Sequence, residues 1–172
     1  MSNKITITLP DGSQKQASAG ISGLEIANII GSGLAKAAVA FSVNGEQRDL
    51  SDVVSKDAEI SIFTIDSDEG LQIMRHTVAA QVLARAIKNL YPKAKLAIGP
   101  TIENGFYYDF LSDERVSVDD LPKIEKEMQK IVAEKSDITK TIHSKEEAIK
   151  NFVDTKEDYK VKIIKESDQE DN

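Results

Sequence analysis

The hydrophobic period of the chain changes near residue 65, and no other feature limits the fold as much. Before it, apolar residues alternate in short runs bounded by turn residues, a strand pattern; after it they recur every three or four residues, a helix pattern. Ile5, Ile7 and Leu9 alternate with Lys4, Thr6 and Thr8, and Pro10-Asp11-Gly12-Ser13 then signals a turn into a second strand. Leu24 to Ile30 reads as a short helix ended near Gly31 and Gly33, and Leu34 to Ala38 as a further helical turn. Val39 to Val43 reads as a strand closed by Asn44-Gly45, the favoured hairpin pair, and Ala58 to Phe63 as a last strand. The order β-β-α-β-β within residues 1–64 predicts a small ubiquitin-like α+β roll.

The stretch Ile65-Asp66-Ser67-Asp68-Glu69-Gly70 is polar between apolar runs and reads as a linker that also caps a helix. The helix is expected from about Asp68 to Leu90, with Leu71, Met74, Val78, Val82, Ala86 and Leu90 as its apolar stripe, ended by Tyr91-Pro92. Two strands follow, Leu96 to Pro100 and Gly105 to Phe110, joined over Glu103-Asn104-Gly105. A helix is expected over Val118 to Lys135, with Leu121, Ile124, Met128, Ile131 and Val132 on one side. Ser144 with Glu147 forms a capping-box pattern for a short helix through Phe152. Tyr159 to Ile164 alternates Tyr159, Val161 and Ile163 against Lys160 and Lys162, a strand pattern. Residues 166–172 hold four acids and no apolar residue and are expected to be disordered.

Composition narrows the function. The chain has 172 residues and a net charge of −7. That argues against a broadly basic, nonspecific nucleic-acid binder, which needs clustered Lys and Arg, but leaves RNA contact through a local patch open. With no Cys there is no disulfide framework, Cys zinc site or thiol nucleophile, and two His are too few for an all-His metal centre. The first residues lack an apolar signal region, and no apolar run approaches the ~20 residues of a membrane span. A cytoplasmic protein is expected.

Two sets of strings carry a family resemblance. Ile7-Thr8-Leu9-Pro10-Asp11-Gly12-Ser13, Gly33-Leu34-Ala35-Lys36-Ala37 and Val43-Asn44-Gly45-Glu46 resemble a TGS domain. Glu69-Gly70-Leu71, Arg75-His76-Thr77 and Ala86-Ile87-Lys88-Asn89-Leu90-Tyr91-Pro92 resemble the start of the editing domain of bacterial threonyl-tRNA synthetase. So does the most specific string, Ile98-Gly99-Pro100-Thr101-Ile102-Glu103-Asn104-Gly105-Phe106-Tyr107-Tyr108-Asp109-Phe110. The resemblance implies a TGS domain at 1–64 followed by a partial α/β editing domain at 65–172, with a long helix and antiparallel strands. Full-length members continue into a class II catalytic domain that uses ATP, Mg and Zn, and they dimerise through such later domains. This chain by itself is therefore expected to carry no cofactor, to be monomeric, to bind tRNA(Thr) by resemblance and not to aminoacylate it. A stand-alone, non-enzymatic TGS module that binds RNA or protein is the alternative.

Editing in that family hydrolyses the ester of a mischarged serine on tRNA, which requires a positioned water, a proton acceptor and donors for the oxyanion. The resemblance assigns His76 and Lys160 to catalysis and Tyr108 and Gln81 to substrate binding. Gln81 stands where the family has a second His, with one extra residue between it and His76. On a regular helix five residues leave the two side chains about 140° apart, so they share a pocket only if a π-bulge absorbs the extra residue. No Gly or Pro lies between 71 and 91, which favours a regular helix. Gln cannot exchange protons near neutral pH, so impaired editing is expected. His143 reads as structural. Lys88, Lys93 and Lys95 could meet an RNA backbone or complement a helix C-terminus.

Overall fold

The computed structural model describes residues 3–167, so the expected disorder of residues 168–172 lies outside the described residues. The described chain divides into two compact units, one running through Arg75 and one from His76 onward.

The first unit is built on a five-stranded sheet in the order β2-β1-β7-β4-β5, from β1 (Lys4–Thr8), β2 (Gln14–Ser18), β4 (Ala38–Val43), β5 (Glu46–Arg48) and β7 (Ala58–Thr64). The central pair β1 and β7 is parallel and the other pairs antiparallel, the mixed sheet of a β-grasp roll. Alternation in β1 turns Ile5 and Ile7 inward, where they meet Ala17, Ile26, Phe41, Val54 and Ile60 in one core. Asn44 and Gly45 both take positive φ, 52° and 84°, as a tight hairpin turn requires.

Helix α1 (Gly23–Ile30) begins with a reciprocal cap that the sequence reading missed. The Ser22 hydroxyl accepts the Glu25 amide, and the Glu25 carboxylate accepts the Ser22 amide at 2.9 Å. The first residue of α1 must be glycine, because a Cβ on Gly23 would lie 2.4 Å from the Phe41 ring. Gly31 ends α1 in extended backbone, and Gly33 lies inside the next helix, α2 (Ser32–Ala37), rather than ending the first. A short pair, β3 (Ile21–Ser22) with β6 (Val53–Val54), was also not foreseen.

The polar stretch at 65–70 is a tight turn. The Ser67 hydroxyl donates to the Thr64 carbonyl and accepts the Gly70 amide, which starts helix α3 (Asp68–Thr77) from serine rather than from the flanking acids. A Cβ on Gly70 would fall 1.8 Å from the Thr64 carbonyl oxygen, so this turn closes only on glycine.

The long helix is not regular, contrary to expectation. After α3 it opens into a π-helical turn over Val78–Leu83, in which the Ala84 amide donates to the Ala79 carbonyl five residues back, and then resumes as α4 (Ala84–Leu90). The wide turn re-aims the residues around it. The face turned inward is Ala79, Ala86 and Ile87 with Leu83 and Leu90, whereas Leu71 of the expected stripe is exposed. The core of the second unit joins Ile87, Tyr91 and Ala94 to Ile124 of α5 (Leu121–Ala133). A 3₁₀ turn over Val118–Asp120 leads into α5, whose Ile124 and Ile131 are buried while Leu121 and Val132 are not.

The expected hairpin forms in two paired stretches. β8 (Lys95–Leu96) pairs with β11 (Phe110–Leu111), and β9 (Thr101–Ile102) with β10 (Gly105–Phe106). The Ala97 amide to the Asp109 carbonyl and the Asp109 amide to the Ile98 carbonyl join the stretches into one ribbon. Helix α6 (Lys145–Asp154) starts at the foreseen Ser144–Glu147 capping box.

The expected strand at Tyr159–Ile164 is instead helix α7 (Asp158–Glu166). Six residues with β-branched members alternate well enough to imitate a strand, but Lys160, Ile163 and Ile164 also fit the three- and four-residue helical spacing. A helix pairs its own backbone groups, whereas a strand needs a neighbour. Glu166, placed in the expected disordered tail, is the last residue of this helix.

Candidate functional site

In the second unit a cleft of about 550 Å³ opens between three features of the chain. The end of α3 and the π turn supply His76 and Ala80. The hairpin supplies Ala97 to Thr101 and Tyr108. The α6–α7 pair supplies Phe152, Lys160, Ile163 and Ile164. The walls are largely apolar, with a few polar groups from distant parts of the chain, as small-ligand clefts commonly are.

His76, Tyr108 and Lys160, three of the residues singled out from the sequence, line this cleft together. The Lys160 ammonium lies 3.5 Å from the Tyr108 hydroxyl, a long hydrogen bond, and 5.9 Å from the ring centroid. The Tyr108 ring lies flat against the backbone at Gly99, where a Cβ would be 2.2 Å from a ring carbon. Glycine at 99 is thus a condition of the ring's position, which explains physically why Gly99-Pro100 precedes the hairpin turn.

Gln81, expected as a fourth member, is not part of the cleft and is exposed. The wide turn, Val78–Leu83, begins after His76 and continues past Gln81, so only part of it lies between the two residues. Ala80, four residues on, takes the cleft-facing direction instead. The π turn is present, but it does not bring Gln81 beside His76. The cleft therefore holds one imidazole, one ammonium and one phenol. An imidazole exchanges protons near neutral pH, and an ammonium can hold developing negative charge on an oxygen.

The basic group at Lys88 and Lys95 is committed within the chain. Lys88 donates to Glu157 at 2.7 Å and to the Ala94 carbonyl at 2.9 Å, and Lys95 pairs with Asp158. That hydrogen bond, then the Asp158 charge, holds Lys95 above the ordinary lysine range. Neither use was foreseen, although Glu157 and Asp158 stand together at the start of α7 as an acidic pair that lysines could have been expected to meet. His143 contacts Thr141 at 3.1 Å, outside the cleft. Among the described residues no cluster of three or more His, Asp or Glu could hold a metal ion, and no helix is long and apolar enough to cross a membrane.

The family model described as TGS domain matches residues 5–64, all of the β-grasp sheet but Lys4. The chain as a whole is similar to the N-terminal region of threonine–tRNA ligases. It is 47% identical over 159 residues to that of Acidithiobacillus ferrooxidans, covering 92% of this chain and 24% of the relative. Against that of Rhizobium johnstonii it is 45% identical over 164 residues, covering 95% and 24%. Against that of Acetivibrio thermocellus it is 47% identical over 162 residues, covering 94% and 25%. The chain thus spans about a quarter of the length of the curated relatives it matches, and the match runs through the TGS domain and the cleft alike.

Proposed function

We propose that this chain serves as the N-terminal portion of a threonine–tRNA ligase, and that its cleft receives the aminoacylated 3′ end of tRNA. The observation that carries the reading is the convergence of His76, Tyr108 and Lys160 on one cleft from parts of the chain 32 and 52 residues apart. The seryl ester of a mischarged tRNA suits such a cleft: a small polar head, an ester carbonyl and a ribose against apolar walls. In hydrolysis, water oxygen adds to the ester carbonyl, the carbonyl–ribose oxygen bond breaks, and the ribose oxygen takes a proton. His76 is the group here that can relay that proton, and Lys160 the one that can stabilise the oxyanion. With Ala80 facing the cleft, no second imidazole among the described residues stands beside His76 to share the proton transfer. The chain is therefore a binding half-site, and aminoacylation belongs to sequence outside these 172 residues.

The test is an NMR titration with a hydrolysis-resistant 3′-seryl-amido adenosine, paired with a hydrolysis assay on seryl-tRNA(Thr). Saturable shifts at Ala97–Thr101 and Lys160, with ester loss at the buffer rate, are expected. Absence of shifts in the cleft sinks the binding reading. Turnover that disappears in His76→Ala overturns the half-site reading.

A further inference from the structure

From Val132 to Ser167 one residue is buried, and it is a carboxylate, Glu157, 8% exposed. Neither α6 nor α7 buries a residue of its own. A helix pair without a buried apolar side chain needs some other attachment, and Glu157 provides it. One carboxylate oxygen accepts the Lys88 ammonium at 2.7 Å, and the other accepts the Leu96 amide at 3.3 Å. Lys88 is held in turn by the Ala94 carbonyl at 2.9 Å. The carboxylate thus ties the joint between α6 and α7 to the end of α4 and to β8.

The backbone prepares that joint. The Lys156 amide donates to the Val153 carbonyl and the Glu157 amide to the Phe152 carbonyl, the paired bonds of a Schellman ending. Lys156 takes φ 58°, the left-handed conformation at which this ending turns the chain. The turn delivers Glu157 to the first position outside α7, and its carbonyl accepts the Val161 amide at 3.1 Å. Lys160 follows three residues later, one helical turn above the clamp, where it meets Tyr108.

We infer that Glu157 is a positioning residue: through its clamp on Lys88 and Leu96 it holds α7 so that the Lys160 ammonium lies at the Tyr108 hydroxyl. This rests on the reading of Lys160 as a cleft group, but its test needs no ligand. In the full chain, the wild type is expected to show a nuclear Overhauser effect between the Lys160 ε-methylene and the Tyr108 ring protons. Glu157→Ala and Lys88→Met are expected to lose it. Glu157→Gln, which keeps an acceptor for the Leu96 amide but loses the charge, is expected to retain part of it.

Ile131→Val, a buried change in α5 outside the core that holds Ala94 and Leu96, lowers stability without touching the joint and is expected to keep the signal in full. If Glu157→Ala folds too poorly to measure, Lys88→Met and Glu157→Gln decide the matter. An unchanged signal in those two variants overturns the inference, as does an equal loss in Ile131→Val. Failure of the seryl-amido adenosine to bind the wild type would sink the proposed function and leave this result standing.

Discussion

The two units solve the same problem with different means. Four of the five largest fully buried side chains, Phe41, Ile7, Ile26 and Ile60, lie in the first unit, and Ile87 alone lies in the second. The first unit closes a sheet over one apolar core. The second gathers a smaller core around Ile87, Tyr91, Ala94 and Ile124, and holds its α6–α7 pair on the outside through ion pairs to Glu157 and Asp158. A core made by strand alternation is specified locally. An attachment made by two charges 69 residues apart is specified only by the finished fold.

The sharpest way to separate the units is to empty the stronger core. Phe41→Ala removes a fully buried ring that also packs against Gly23, and is expected to cost about 3–5 kcal/mol. Urea denaturation followed by backbone NMR is the measurement. Signals of the β1–β7 sheet should melt at much lower urea, while those of Ala84–Ala133 hold their midpoint. A common shift of both sets would mean that the division into two units has no energetic counterpart.

A smaller effect is expected where the second unit borrows the rigidity of backbone. Gly99→Ala sets a methyl where the Tyr108 ring lies, an overpacking expected to cost about 1–3 kcal/mol. The ring must move, so the contact between Lys160 and Tyr108 should weaken in the same variant. Unchanged thermal stability and an unchanged Tyr108 environment in NMR would show that the cleft is more pliable than its geometry suggests.

What could be read from residues follows the same divide. The strands at Lys4–Thr8 and Ala38–Val43, the Asn44-Gly45 turn and the capping box at Ser144 were legible, because each rests on a local pattern. Tyr159–Ile164 was misread as a strand because its alternation satisfied both periods, and only packing against the cleft selects the helix. His76, Tyr108 and Lys160 were legible through the resemblance; their convergence was not. Glu157 was missed altogether, since one acid among many looks solvated until its partners are placed.

The π turn was misread for a related reason. Glycine and proline mark many irregular helices, but an inserted residue needs no such mark when packing on both sides fixes the register. Deleting Ala80 tests this. The shortened helix is expected to regain the i to i−4 ladder and bring Gln81 to the cleft-facing direction now held by Ala80. The recovered hydrogen bond is worth about 1 kcal/mol, so the net change in stability should be small. Amide exchange across 78–84 and the position of the Gln81 side-chain amide report the outcome. A bond that still spans five residues in the shortened chain, from residue 84 to residue 78 of the wild-type numbering, would show that packing, not residue count, makes the turn.

The smallest effects lie in pH, and there the two units should part on one flank only. Bonds from Ser22 hold Glu25 below the usual carboxylate range, and bonds from Ser117 do the same for Asp120. Each contributes stability that is present above the unfolded carboxylate range, about pH 4, and is lost as pH falls through the lower folded value. Both units should therefore weaken in acid. The alkaline flank differs. In the second unit the Asp158 hydrogen bond raises Lys95, and burial, then the Asp120 charge, raises Tyr91. For both groups the folded state keeps its proton longer than the unfolded state, so stability falls as pH rises from about 10 through the higher folded values. All four tyrosines of the chain, Tyr91, Tyr107, Tyr108 and Tyr159, lie in the second unit. Denaturation midpoints of the two sets of NMR signals, measured from neutral pH to about 11, should diverge above about 10, with the second unit falling first. Lys95→Met should shrink that gap. A gap that survives Lys95→Met and Tyr91→Phe together would place the alkaline sensitivity elsewhere than in these two groups.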